Sequence, residues 1–235
     1  MNSFGKSAKK LKSKGFQNIH VRLKSLHRSW QTEQIITSAQ NWNYAIEEHY
    51  FPQIVDHFGT VQGLTDSRFN QYFLLMDTFY KSGGPVFLFV GGESALKTSD
   101  FYGLVLELAQ KYNGLLLGLE HRFYGAEYGR SVPTGSINSM SLQLCTSKQA
   151  VEDLAYFVES FPALFPKYGL NRNTKWISVG GSYPGALSAW LRVKHPESIY
   201  ASHASSAPLL AVETSGAFLT LLKKRLIISL EIERV

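Results

Sequence analysis

Ser182 has the clearest capacity for chemistry. It lies in Gly180-Gly181-Ser182-Tyr183-Pro184-Gly185, between the short apolar run Trp176-Ile177-Ser178-Val179 and a helical stretch, Ala186 to Lys194. A serine at the apex of a sharp strand-to-helix turn is a nucleophile elbow. The turn strains the residue and exposes its hydroxyl, and small neighbours let strand and helix approach. The strict G-x-S-x-G spacing is not kept, because Pro184 takes the second position after the serine and the glycine follows at Gly185. Two other readings stay open at this level: a glycine-rich turn with an internally satisfied hydroxyl, or a phosphate-cradling loop. A P-loop would carry its lysine where Ala186 stands.

Gly91-Gly92-Glu93 is the second feature, directly after the apolar run Val86 to Val90. Hydrolases with an elbow place part of the oxyanion hole at such a strand end. Backbone N–H groups there, with the N–H of Tyr183, would hold the oxygen of a tetrahedral intermediate, each donor being worth on the order of 10²–10³ in rate. Glu93 would serve that oxyanion site or a substrate amine; the alternative is that Gly91-Gly92 merely ends the strand.

These residues need a framework, and the pattern supplies one. Val86 to Val90, Leu115 to Leu119 and Trp176 to Val179 are continuous apolar runs, as expected of strands buried on both faces, and Tyr200 to Ser206 is a weaker fourth. Arg68 to Tyr80 reads as one or two strands. Phe101 to Tyr112 has helical spacing closed by Asn113-Gly114. Ser147 to Ser160 is an amphipathic helix with Ser147 as its N-cap, Ala150, Val151, Leu154, Phe157 and Val158 on the apolar face and Glu152, Asp153 and Glu159 off it. Buried strands alternating with helices give an α/β fold with a mostly parallel sheet, whose chemistry sits beyond the carboxyl ends of the strands.

Composition bounds the class. The 235 residues are 44% hydrophobic and 18% charged, enough for a substantial core and unlike a disordered chain. No apolar run approaches the ~18–20 residues of a membrane span. One cysteine, Cys145, excludes a disulfide scaffold, and no His, Cys, Asp or Glu group has metal-ligand spacing. No dinucleotide fingerprint is present, and no cofactor and no metal are expected. The first 30 residues hold eight lysines and arginines and no acid, so the basic charge belongs to an arm and the body is near neutral. That arm reads as a solvated terminus, with nucleic-acid or lipid binding as the lesser alternative. It lacks the 7–15-residue apolar stretch of a secretory signal.

Six segments together resemble the serine peptidases that include lysosomal prolyl carboxypeptidase, dipeptidyl peptidase II and thymus-specific serine protease. They are Gln53 to Phe58, Gly83 to Glu93, Glu120 to Gly125, Thr146 to Ala150, Gly180 to Arg192 and Ala204 to Pro208, with the thymus-specific branch most similar. The resemblance implies an α/β-hydrolase fold and a Ser-His-Asp exopeptidase preferring proline near the cleaved bond. Its setting would be extracellular or lysosomal, although no signal peptide is visible. Ser182 aligns with the nucleophile, and the oxyanion role carries to the backbone of Tyr183 and to Gly92 and Glu93.

In that architecture the triad runs Ser…Asp…His. After Ser182 this sequence has only His195 and His203 and no aspartate, so the triad Asp and His are expected to be absent from it. The alternative expectation is a truncated, inactive relative with at most a binding role. Residues 1–49 read as arm and linker, 50–211 as the N-terminal part of the peptidase domain before a helical cap, and 212–235 as a divergent amphipathic tail. The expected partners are a peptide substrate and, as an assembly, a dimer, with no nucleic acid and no membrane span. His57 follows Asp56 and His121 follows Glu120, but neighbours on a strand point to opposite faces, so both histidines are expected to bond within the framework.

Overall fold

The structure, a computed structural model, describes residues 44–64 and 66–210; the arm and the tail from 212 lie outside the described residues. All elements below belong to the unit that begins at Ala45. Six strands form one sheet in the order β1-β2-β4-β3-β5-β6. They are β1 (Glu47–Ile54), β2 (Arg68–Met76), β3 (Val86–Val90), β4 (Leu115–Leu119), β5 (Trp176–Gly181) and β6 (Ala201–Ser205). Strands β3, β4, β5 and β6 run parallel, whereas β2 is antiparallel to both β1 and β4. This is the opening strand order of the α/β-hydrolase sheet.

Helices cover both faces. We label them α1 (Leu104–Tyr112), α2 (Ser147–Leu164) and α3 (Tyr183–Lys194). Val86, Leu88, Val90, Leu115, Leu117 and Leu119 share one buried cluster with Val151, Leu154 and Phe157 of α2 and Leu187 and Leu191 of α3. The intervening residues meet the other side: Phe87 lies 6.3 Å from the Tyr112 ring, and a side chain at Gly118 would run into Phe101. Burial on both faces is the reason β3 and β4 read as unbroken apolar runs.

Several expectations shift by a turn or less. The N-cap of α2 is Thr146, whose hydroxyl accepts from the Gln149 N–H at 3.2 Å, and the helix runs on to Leu164. Pro162 is tolerated near its C-terminal end, where only one intrahelical bond is lost. Helix α3 starts at Tyr183 rather than Ala186, because Pro184 falls in the first turn, where no intrahelical N–H is required. Asn113 adopts φ 52°, the left-handed cap expected after α1. Strand β1 is not among the sequence-derived elements. Only Phe51, Gln53 and neighbouring Val55 are fully buried there, and Pro52 breaks the pattern while fitting an edge strand.

Candidate active site

The carboxyl ends of β1, β3, β4 and β5 lie at one end of the sheet, as the registers require. Ser182 follows β5 with φ 59° and ψ −130°, a conformation side chains rarely adopt. Its N–H donates to the Ser205 carbonyl at 2.9 Å, which ties the turn to the end of β6. The residue is exposed, and among the described residues nothing hydrogen-bonds its hydroxyl.

Three glycines explain how the turn closes. A Cβ on Gly180 would meet Pro184 C at 2.5 Å and Gly185 N at 2.8 Å. One on Gly185 would meet the Ser205 carbonyl at 2.9 Å. One on Gly92 would strike the Pro184 ring. Proline in place of glycine at the second position after the serine is thus accommodated by the missing side chain of Gly92. The same packing sets the loop after β3 against the turn. Tyr183 opens α3, so its N–H has no acceptor within the helix, and Gly92 N–H has none among the described residues. Glu93 is exposed beside them.

The tripeptide after β4 fixes the surroundings. Glu120, fully buried, accepts from the Leu96 N–H at 3.0 Å, from Arg130 Nη2 at 3.0 Å and from the Ser131 hydroxyl. His121, also buried, donates from Nδ1 to the Arg122 carbonyl at 2.7 Å, since a carbonyl can only accept. Nε2 is then the unprotonated nitrogen, and the Tyr183 hydroxyl donates to it at 2.9 Å. Tyr124 stands edge-on to His121 at 5.0 Å. Burial pulls the His121 pKa below its ordinary value, keeping the ring neutral. Burial, then the negative potential of Tyr124, Cys145 and Glu93, pushes the Tyr183 hydroxyl well above its ordinary range.

Arg122 spends all five N–H donors inside the protein. Nε and Nη2 hold the Asp153 carboxylate at 2.6 and 2.5 Å, and the other three reach the carbonyls of Ile54, Val55 and Leu144. His57 Nε2 joins Asp153 Oδ1 at 2.8 Å. Burial raises the Asp153 pKa, but the charge and hydrogen bonds of Arg122, with the His57 bond, overcome it and hold the carboxyl below its usual range. Asp153 is therefore not off the apolar face of α2, as its charge suggests, but 1% exposed. Its helical spacing from Gln149 and Phe157, both buried, was the signal available in the sequence.

Ser182, Tyr183, Gly92 and Glu93 are brought to one place. His195 is not with them: it caps the far end of α3, about 18 Å of helix from Ser182, and pairs with Glu152 at 3.2 Å. His203 is exposed on β6. His195, Glu159 and Glu197 lie close enough together to share an ion, at that far end and unconnected with the serine.

A model of the family described as Serine carboxypeptidase S28 matches residues 53–229. The chain belongs to that family. Among its relatives, the Caenorhabditis elegans protein K12H4.7 is 40% identical over 164 residues, covering 68% of this chain and 30% of the relative. Human thymus-specific serine protease is 36% identical over 69% of this chain and 30% of its own length. Human lysosomal Pro-X carboxypeptidase is 32% identical over 80% of this chain and 36% of its own length. The chain spans about a third of the length of the curated relatives it matches. The family match takes in all three segments of the site: 91–93, 120–124 and 180–185.

Proposed function

We propose that this S28 chain carries the nucleophile half of a serine-type exopeptidase, a dipeptidyl-peptidase or carboxypeptidase that prefers proline beside the cleaved bond. The observation that carries the reading is the exposed Ser182 held at φ 59° at the end of β5. Its Oγ attacks the peptide carbonyl and its proton passes to a histidine general base. The carbonyl oxygen becomes an oxyanion held by the N–H of Tyr183 and the N–H groups of the Gly92 loop. Collapse expels the amine, which takes the proton from the histidine, and water then hydrolyses the acyl-enzyme. The histidine and its orienting aspartate come from outside residues 44–210. Family relationship to lysosomal Pro-X carboxypeptidase supports a lysosomal or extracellular setting and a peptide substrate. Among the described residues no helix is long and apolar enough to cross a membrane.

The test is labelling by a fluorophosphonate in the full-length protein, followed by peptide mapping. Modification of Ser182, lost in Ser182→Ala, with cleavage of proline-containing peptides, is the expected result. Labelling at another serine, or none, overturns the reading.

A further inference from the structure

The tripeptide Glu120-His121-Arg122 sends three consecutive side chains to three different parts of the molecule, and only the middle one reaches the serine turn. We propose that His121 is a positioning residue for the oxyanion donor: by accepting the Tyr183 hydroxyl, it fixes the first residue of α3 and so the direction of the Tyr183 N–H. This rests on the reading of Ser182 as nucleophile and goes beyond it.

The geometry has a defined order. Arg122 is immobilised by five hydrogen bonds, so its carbonyl is a fixed acceptor. That carbonyl sets the His121 tautomer, and the tautomer leaves Nε2 able only to accept. The Tyr183 hydroxyl is the donor that meets it, and the Tyr124 ring packs edge-on against His121. Tyr183 is half-buried at the first helical position, where no intrahelical bond restrains its N–H. Without the hydroxyl bond, the Tyr183 side chain has no hydrogen bond among the described residues and is held only by packing.

The experiment compares Tyr183→Phe, His121→Phe and the double variant with the wild-type full-length protein. The readouts are kcat and KM on a peptide substrate and hydrogen exchange of the Ala186 amide, which donates to the Ser182 carbonyl at 3.1 Å and closes the first turn of α3. Each single variant is expected to lower kcat about 10- to 100-fold, with KM changed less than about threefold. The double variant should lose no more than either single one, because both remove the same bond. The Ala186 amide should exchange faster while amides in the last turn of α3 do not change. Losses confined to KM, losses that multiply in the double variant, or an unchanged Ala186 amide overturn the proposal. Tyr183→Phe removes the bond while leaving the His121 ring in place, so a folding failure of His121→Phe leaves the test intact. Should wild-type Ser182 fail to react, the nucleophile reading falls, and amide exchange alone still decides whether His121 holds residue 183.

Discussion

Arg122 and Asp153, 31 residues apart in sequence, form a two-point ion pair with no access to water, and His57 completes it from a third segment. The pair joins the end of β4 to α2 and, through the carbonyls of Ile54 and Val55, to the end of β1. Its role is to hold the carboxyl end of the sheet in one arrangement. Arg122→Met should leave Asp153 buried without its cation and destabilise the fold by about 3–5 kcal/mol. Arg122→Lys should rescue little, since an ammonium cannot reproduce the fork. Denaturant midpoints measure both; a loss below about 1 kcal/mol in Arg122→Met would contradict this account.

Ser182 stores backbone strain, at φ 59°, that the proposed chemistry would use. Ser182→Gly should abolish fluorophosphonate labelling and raise stability by about 1 kcal/mol, strain relief outweighing the entropy glycine adds to the unfolded chain. Ser182→Ala should abolish labelling without that gain. Equal midpoints for the two variants would show that the turn is unstrained.

Gly91 and Gly92 differ in what an added methyl would meet. At Gly91 it strikes the backbone, with Leu119 O at 2.5 Å and His121 N at 2.9 Å; at Gly92 it strikes only the Pro184 ring. Gly91→Ala should therefore cost the more stability. Gly92→Ala should cost about 1–3 kcal/mol or less while slowing Ser182 labelling about tenfold, as the loop moves off the turn. Paired Gly92→Ala and Pro184→Ala changes should restore the rate. An unaltered rate in Gly92→Ala would separate the loop from the site.

His121 makes stability depend on pH in a defined direction. Its folded pKa lies below the ordinary 6.5, chiefly through burial. The groups acting on it are Arg122, Asp153 and Glu93, with Tyr124 and Tyr183 against the ring. Above about pH 6.5 both states are neutral and the residue adds no slope. As pH falls below that value the unfolded chain takes up the proton first, so stability declines until the folded value is reached. Denaturant midpoints between pH 7.5 and 5 should fall in wild type and fall less in His121→Gln. Parallel curves would remove His121 as a contributor.

The framework was legible where one local signal decides the outcome. Strands β3 and β4 begin and end where their apolar runs do, because double-sided burial leaves no polar position to blur the edge. The glycines around Ser182 marked the turn, since only small residues allow that approach of strand and helix. Helix α3 was read three residues short at its start because a Tyr-Pro pair does not look helical until the strained serine before it is seen to set the entry.

What no window of the sequence contains is the pairing across segments. Glu120, His121 and Arg122 are three polar residues in a row, and nothing local says that each will be buried and fully bonded. Asp153 looks like an exposed helix residue until Arg122 and His57 arrive from 31 and 96 residues away. Strand β1 exists because β2 offers it an edge; its own Glu- and Pro-containing sequence has no strong period. The sequence determined most of the elements and the turn that carries Ser182, through periodicity, caps and glycines acting over a few residues. Only the tertiary structure decided which charges pair and what holds Tyr183, because a buried polar group is stable only once its distant partners are in place.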